Sequence, residues 1–408
     1  MDDFKEGQKD KNRRIEMKNI IAFAMLFTAI SQFCPAQEID TVLANIERNN
    51  LELQALRQEN EASALEIKAE NNIQQDLSVS YSPFFTNGVN GVASSEFVAS
   101  MGFDFPTQYA ARKKWGDFRS EELRRLYLLQ RRDILFEAKT LCLELIRLNA
   151  EKKLLDNRLE NADELLSLVE KQFDEGGATV IEVNKVKMER MNVRTLKAQN
   201  TASRKSILRN LETLNGGQPL DIEPSGYPEL PAIPDFEQYC KYIEEADLGV
   251  QSAAASVDAA AQEIKVNRQN WLPKLEVGYR RNTALNEASD GFIVGISIPL
   301  FSGMNKTKVA KARHSAALSS LENARLESIN AIRSSYYEME ELGNALKEYD
   351  LPLMRNTLAA LKKAVINGQL SIMDYYVEAD NIFTSLGDYI NTENRYQILM
   401  AELYKNEL

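Results

Sequence analysis

The sequence predicts a mainly α-helical chain made of two tandem repeats, each containing one β-hairpin and one long helical hairpin. Three observations predict this fold. The motif Gly-x-x-Ser/Thr-x-x-Asp/Glu occurs at 176–182 and again at 368–374, 192 positions later. Two segments alternate apolar and polar residues with the period of a strand. The remainder is poor in Gly and Pro and rich in Ala, Leu, Glu and Lys, a composition typical of long helices.

Other short matches extend the duplication over most of the chain. A nearly fixed offset, interrupted by small changes in loop length, indicates two copies of one structural unit. The offsets are 197, 198 and 193 positions for these three matches: Glu66-Ile67-Lys68 with Glu263-Ile264-Lys265, Tyr81 with Tyr279, and Pro106 with Pro299. We therefore predict repeat 1 at 38–215, a Pro/Gly-rich linker at 216–234 and repeat 2 at 235–408.

A leader precedes the first repeat. Lys18 is followed by an apolar run at 20–30 and then by a short segment that ends in small residues. A run of eleven residues is too short to span a bilayer as a helix, so residues 17–37 are predicted to be a secretory signal peptide. Residues 1–16, which are highly charged, then form an upstream extension.

Composition disfavours several functional classes. The net charge of −11 and the pI near 5.0 argue against nucleic acid as a partner, since phosphate binding needs clustered Lys and Arg. Cys142 and Cys240 have no CxxC or histidine neighbour, and His314 lies among basic residues on a predicted polar helix face. The sequence therefore predicts no catalytic residue, no metal site and no cofactor. Acylation of Cys34 as a lipoprotein is an alternative, which the preceding Phe33 disfavours.

Each repeat contains a predicted hairpin, at about 76–106 and at about 274–301. Their strands of about 9 to 11 residues are apolar on one face, polar on the other and aromatic near their ends, which is typical of transmembrane β-barrels. The alternating apolar residues are Leu77, Val79 and Tyr81, then Phe97 to Phe105, then Leu275, Val277 and Tyr279, then Phe292 to Ile298. The candidate aromatic girdles are Tyr81, Phe84, Phe105, Tyr279, Phe292 and Phe301.

A soluble β-sandwich fragment would show the same alternation, but no other predicted strands exist for these hairpins to pack on. Four strands in a membrane leave two unpaired edges, and hydrocarbon does not tolerate unpaired backbone groups. Several chains must therefore contribute strands to one barrel.

A long helix follows each hairpin, at about 108–173 and 304–367. Each would reach about 100 Å if unbroken. Apolar residues at spacings of three and four predict a coiled-coil seam, with Ile134 and Ala138 in the first helix and Tyr336 and Met339 in the second. Pro352 is expected to kink the second helix because proline removes a backbone hydrogen bond.

The doubled motif predicts a tight helical tip at about 174–180 and at about 366–372. Each glycine supplies the left-handed backbone that ends a helix, and the Ser or Thr three residues later caps the next one. Glu182 and Asp374 are placed to reach back to the cap residue's amide, which would complete a capping box. The returning helices, at about 180–215 and 372–406, then pair antiparallel with the long ones.

On these features the chain resembles the TolC family of outer-membrane efflux proteins over about residues 38–406. The order of elements in both repeats matches that family. Its tips resemble Phe173-x-x-Gly176-x-x-Thr179-x-x-Glu182 and Val365-x-x-Gly368-x-x-Ser371-x-x-Asp374. The segment Ile298-Pro299-Leu300-Phe301-Ser302-Gly303 is similar to the family's junction between strand and helix.

The resemblance implies a homotrimer whose twelve-stranded barrel lies in the outer-membrane lipid of a Gram-negative bacterium and continues as a helical periplasmic tunnel. Such proteins are exit ducts of tripartite efflux pumps or of type I secretion systems, and they catalyse no reaction. A periplasmic adaptor connects them to a proton-driven or ABC transporter in the inner membrane. The competing interpretation is a secreted, soluble coiled-coil scaffold, which explains the helices and the leader but not the two hairpins.

Charged residues near the tips are candidate pore residues. Asp374 and Glu378 are four residues apart, so threefold symmetry would place six carboxylates around the tunnel mouth. Lys185 and Lys187 are candidate counter-charges that would hold the tip closed. The alternative is that Glu182 and Asp374 only cap helices and that the lysines are only solvated.

The turn residues are candidates for adaptor docking, because small side chains let a partner approach the backbone closely. Leu370 and Val377 stand where better-characterised family members often carry an arginine and an acidic residue, so the family's gating contacts do not transfer directly. The predicted tip and docking residues are Gly176, Gly177, Ala178, Thr179, Glu182, Gly368, Gln369, Leu370 and Ser371.

Overall fold

The computed structural model of the chain describes residues 35–70, 77–88, 90–224, 226–229, 235–284, 287–299 and 305–408. The helices are α1 Pro35–Asn49, α2 Leu51–Glu70, α3 Pro106–Asp174, α4 Val180–Leu214, α5 Phe236–Ala246, α6 Leu248–Arg268, α7 Lys306–Lys347, α8 Leu351–Ile366 and α9 Ile372–Leu403, followed by a 3₁₀ turn at Lys405–Glu407. The strands are β1 Leu77–Phe84, β2 Ser94–Phe103, β3 Lys274–Ala284 and β4 Glu287–Ser297. The predicted upstream extension, most of the leader, Phe301 and most of the predicted junction at 298–303 lie outside the described residues.

The predicted fold class is confirmed: helices dominate, and each half of the chain has a helix, a hairpin, a long helix, a tip and a returning helix. In the first half these elements are α2, β1, β2, α3 and α4. In the second half they are α6, β3, β4, α7 with α8, and α9. The described residues of the predicted linker contain no helix or strand, and they lie against the helices: Leu220 and Ile222 pack on the core around α1, and Tyr227 Oη donates to Asn394 Oδ1 at 3.1 Å.

The four strands form one antiparallel sheet in the order β1-β2-β3-β4. The two hairpins therefore pair with each other through β2 and β3, in a register that sets Ala99 opposite Tyr279. Phe105 does not extend β2, contrary to the alternation pattern, because Pro106 already starts α3 and makes Phe105 the residue before the helix. The match of Pro106 with Pro299 is likewise inexact, since α7 starts only at Lys306.

The two long helices differ. α3 is continuous over 69 residues, whereas its counterpart is interrupted between Lys347 and Leu351 and forms α7 and α8. The expected kink is therefore a complete break. The Asp350 side chain accepts a hydrogen bond of 2.8 Å from Leu353 N and caps α8, and Pro352 lies in the first turn, where its missing N–H has no cost.

Three buried clusters hold the helices together. The largest joins α1, α2 and α3 around Ile46, Leu53 and Leu143, and the second joins α3, α4, α8 and α9 behind the tips. The third packs Met339 of α7 against the end of α9. Ile134, Ala138, Leu145 and Leu148 are buried, as the predicted seam requires. In the part of the chain that the structure describes, no helix combines the length and the hydropathy that a membrane crossing would need.

Candidate functional sites: a two-faced sheet and two helical tips

The sheet has one apolar face and one polar face. Cross-strand rows on the apolar face are Leu77, Met101, Val277 and Val294, then Val79, Ala99, Tyr279 and Phe292. Rows on the opposite face are Ser78, Ser100, Gly278 and Ile293, then Ser80, Val98, Arg280 and Gly291. Phe292 and Val294 of the edge strand are 91% and 87% exposed, so nothing within the described chain covers the apolar face. Such a surface is suited to lipid on one side and water on the other.

The predicted girdle residues lie at different positions along their strands. Tyr81 and Phe84 lie in the loop-proximal half of β1. Tyr279 and Phe292 pair with each other at the centres of β3 and β4, so these two do not lie near the strand ends as predicted. A period of two identifies the face of a strand but not the height along it, which explains the error.

Gly278 of β3 lies opposite Ser100 of β2, and the two strands approach closely there. A Cβ built on it would be 2.7 Å from Ala99 O and 2.8 Å from Ser100 Cβ. Real Cβ atoms do not approach backbone atoms this closely, so this position requires glycine. By contrast, a Cβ on Gly291 of the same face would have no neighbour within 4 Å.

The junction between sheet and helices is fixed by Asp104. Its buried carboxylate contacts Arg112 Nη2 of α3 at 2.6 Å and Lys274 Nζ of β3 at 3.2 Å. Burial alone would raise the pKa of Asp104, but hydrogen bonds from Arg112 and Lys274 outweigh burial and hold the pKa below its ordinary value of 3.8. The carboxylate thus joins the end of β2, the start of α3 and the start of β3.

Replacing Asp104 with asparagine is expected to destabilise the protein by about 1–3 kcal/mol at neutral pH. Because the folded pKa is lowered, the wild-type carboxylate stabilises the fold fully above its ordinary pKa, and this stabilisation is lost as the pH falls through the folded value. Unfolding midpoints of both proteins between pH 7 and pH 3 measure this difference. A difference that stays constant over that range would contradict the role of the charge.

The first tip has the predicted geometry in full. Gly176 adopts φ +79° at the end of α3, and Gly177 N donates to Gln172 O at 2.7 Å, which forms a Schellman motif. Thr179 Oγ1 accepts from Glu182 N, and Thr179 N donates to Glu182 Oε2 at 2.7 Å. The capping box is complete. Thr179 Oγ1 also donates to Glu182 Oε2 at 2.8 Å, and the hydrogen bonds that the carboxylate accepts from Thr179 N and Thr179 Oγ1 lower the pKa of Glu182.

The second tip has the same turn but only half of the box. Gly368 adopts φ +71°, and Gln369 N donates to Ala364 O at 2.8 Å. Ser371 Oγ accepts from Asp374 N at 3.1 Å and donates to Asp374 Oδ2 at 2.6 Å. The described contacts include no bond from the Ser371 amide to Asp374. Aspartate is one methylene shorter than glutamate, which explains why the predicted reach to the amide does not form.

The predicted counter-charges do not meet the predicted carboxylates. Lys187 Nζ pairs with Glu170 Oε1 of α3 at 2.9 Å, and Lys185 lines a groove between α4 and α9. Among the described contacts, neither lysine pairs with Asp374 or Glu378. The gating role of those two acids stays a prediction.

A different residue joins the helices behind the tips. The Arg158 side chain of α3 is 12% exposed, and its guanidinium contacts Glu189 Oε1 of α4 at 2.6 Å and Asp380 Oδ1 of α9 at 2.8 Å. Its Cζ also lies 5.1 Å from the centroid of the Phe383 ring. Arg158 thus connects three helices from both repeats.

The sequence contains a signal for Arg158 that lies outside the doubled motif. Leu155, Ala162 and Val169 are buried at seven-residue intervals, and Arg158 lies on the same stripe of α3. A charged residue in an apolar seam is usually paired with partners on the facing helices. The described residues include no group of acidic, histidine or cysteine side chains that could hold a metal ion.

Known proteins share both the sequence pattern and the fold. Residues 243–405 match the family described as outer membrane efflux protein, while no curated protein sequence matches the chain. The structure is similar to a membrane protein from Pseudomonas aeruginosa, with a TM-score of 0.77, 14% identity and coverage of 90% of each chain. It is also similar to the outer membrane protein VceC from Vibrio cholerae, with a TM-score of 0.74, 14% identity and coverage of 90% of this chain and 96% of VceC.

A third similar structure is the CmeC outer membrane channel from Campylobacter jejuni, with a TM-score of 0.72, 13% identity and coverage of 90% of this chain and 85% of CmeC. At these identities the structural likeness establishes the fold. The family match across most of the second repeat supplies the relationship in sequence. Residues 243–405 thus match the outer membrane efflux protein family in sequence, and the described chain has the fold of the outer membrane channels to which it is similar.

Proposed function

We propose that the protein is an outer-membrane exit duct that passes solutes to the cell exterior. The sheet lies in the outer membrane, and the helices extend into the periplasm. The observation that carries this function is the two-faced sheet, whose β2 leads directly into a helix of 69 residues. A barrel of such strands continued by such helices forms one path from periplasm to exterior.

We infer that the duct is a homotrimer. β1 and β4 are the edges of the four-stranded sheet, and each has unpaired backbone groups along one side. Pairing β4 of one chain with β1 of the next would satisfy these groups, and three chains would give twelve strands. The exposed apolar side chains of β1 and β4 support this arrangement.

We also propose that a periplasmic adaptor docks on the two tips and connects the duct to an inner-membrane transporter, for efflux or for type I secretion. The Arg158 contacts replace the lysine counter-charges as the proposed closing element. They hold α9 against α3 and α4, whereas no described contact pairs Lys185 or Lys187 with Asp374 or Glu378.

The duct function is tested by fractionation and by conductance. The purified protein should come from the outer membrane as a trimer and should form channels in planar lipid bilayers. A secreted scaffold, the competing interpretation, predicts recovery from soluble periplasm and no conductance.

Adaptor docking is tested by replacing Gly368 with asparagine, which tolerates the left-handed backbone and adds a side chain to the turn. We expect export to fall about fivefold or more, as for an interface residue worth more than 1 kcal/mol, while trimers form normally. The matched control is Gly217→Asn, because Gly217 has φ +79° and an equally open environment but lies in the predicted linker. Equal export by both variants would exclude docking at Gly368, and loss of trimers would indicate a folding role.

A further inference from the structure

We propose that the periplasmic edge of the barrel binds the anionic headgroups of phospholipids in the periplasmic leaflet of the outer membrane. This proposal rests on the proposed function, because it needs the sheet to lie in that membrane. The binding surface is a belt, defined here as five lysines and two tryptophans where the strands give way to helices. Its members are Lys113, Lys114, Trp115, Trp271, Lys306, Lys308 and Lys311.

Positive charge is concentrated at this level. Residues 106–119 and 306–319, the first 14 residues of α3 and α7, contain eight lysines and arginines and one acidic residue, Asp117. The whole chain has 60 acidic and 49 basic residues. The concentration occurs in both repeats, at the corresponding end of each long helix. The starts of the two long helices are therefore positively charged, although the protein as a whole is negatively charged.

At this level the arginines form ion pairs within the chain, whereas the described contacts include none for the belt lysines. Arg112 pairs with Asp104, Arg119 with Glu122, and Arg313 with Glu263. The five lysines of the belt are all exposed, and the described contacts include no ion pair for any of them. Their charges are thus available to an external anion.

Positive charge in the first turn of α7 is unfavourable for the protein when no anion is bound. Lys306 and Lys308 lie in that turn, where the helix dipole favours acidic residues, and no acidic residue is present there. Asn305 precedes the helix without a side-chain capping bond. A negatively charged surface next to these lysines would compensate for the repulsion.

Both tryptophans of the chain lie at the same level. Trp271 is 70% exposed and lies three residues before β3, and Trp115 follows Lys114 in α3. The two segments are joined by a hydrogen bond of 2.6 Å from Gln108 Nε2 to Gln269 O. Along the helix axes, all belt residues of α3 and α7 lie within about 14 Å of the helix starts.

These side chains fit a lipid surface. Tryptophan is enriched at the boundary between hydrocarbon and water, and lysine extends its ammonium group toward headgroups while its methylenes stay apolar. Ammonium groups bind phosphodiesters as point charges, without the fixed geometry that arginine imposes. The belt also adjoins the ends of the strands, since α3 begins three residues after β2 and Trp271 lies three residues before β3, so its occupant is lipid rather than free phosphate.

The tryptophans make the proposal testable by fluorescence, because no other tryptophan contributes a signal. The trimer is reconstituted in phosphatidylcholine vesicles that contain brominated phosphatidylglycerol or, separately, brominated phosphatidylcholine, and quenching is compared. The belt variant replaces Lys113, Lys114, Lys306, Lys308 and Lys311 with glutamine. The matched control replaces Lys153, Lys171, Lys205, Lys241 and Lys363, which are exposed, form no described ion pair and lie outside these two segments.

We expect stronger quenching by brominated phosphatidylglycerol in the wild type and in the control, and equal quenching by the two lipids in the belt variant. Each lysine removed should lower the local enrichment of the anionic lipid by up to about fivefold. Equal quenching in the wild type, or a preference that survives in the belt variant, would overturn the proposal. Absence of quenching by either lipid together with absence of conductance would instead refute the membrane duct itself.

Discussion

Replacing Gly278 with valine is expected to prevent assembly of the barrel. The new Cβ would overlap with backbone atoms of Ala99 and Ser100 in β2, and neither strand can move away without breaking their hydrogen-bonded register. Overpacking of this kind costs about 1–3 kcal/mol at a single site, and the proposed homotrimer would contain this site three times. The loss of heat-stable trimers from the outer membrane measures the effect.

The control for this prediction is Gly291→Val. Gly291 lies on the same polar face, in β4, but a Cβ there has open space around it. Both substitutions exchange glycine for valine on the same face of the sheet, and within the described chain only the one at Gly278 meets atoms of a neighbouring strand. Normal trimers from Gly278→Val, or equal loss from both variants, would show that the contact with β2 does not limit assembly.

Replacing Arg158 with alanine is expected to open the periplasmic end of the duct. The change removes the contacts to Glu189 and Asp380 and leaves Glu189 largely buried without this partner. Losing one member of a buried ion pair costs about 3–5 kcal/mol, and the exposure of Asp380 reduces this to about 2–3 kcal/mol. We expect larger currents in planar bilayers and greater sensitivity of cells to large antibiotics.

Arg190→Ala is the matched control for the tip. Arg190 pairs with Asp163 and so joins α4 to α3, and the described contacts include none between Arg190 and α9. Its loss should lower stability slightly without opening the tunnel. If Arg190→Ala raises the current as much as Arg158→Ala does, then general loosening of the helices explains opening, and the connection to α9 is not specific.

The strands and the tips were predictable from the sequence because their determinants are local. Alternation in β3 and β4 reflects the two faces of each strand, and Gly176 with Thr179 encodes a helix end and a helix start within four residues. Duplication strengthened each of these signals, since the same pattern had to occur twice in the same order. The family resemblance followed from that order.

The contacts that join the repeats were not predictable in the same way. Arg158 lies 31 positions from Glu189 and 222 positions from Asp380, so its pairing depends on how three helices pack. Lys187 pairs with Glu170 of the antiparallel helix α3, and the described contacts include no ion pair between Lys187 and the acids of α9. Sequence periodicity identifies which face of a helix is polar, but it does not identify the partner.

The break between α7 and α8 makes the two halves of the chain mechanically unequal. α3 is one continuous helix. The second repeat is interrupted near Tyr349, whose ring packs edge-on against the ring of Tyr389 in α9. Gly387 lies two residues before Tyr389 in the same helix. Bending should therefore concentrate at this level of the second repeat, while the first repeat keeps its shape. Hydrogen exchange should be faster at the break, residues 348–350, and in the turn of α9 around Gly387 than in the middle of α3. The two copies of the repeat should thus differ in stiffness, with the first copy resisting bending and the second copy bending at its break.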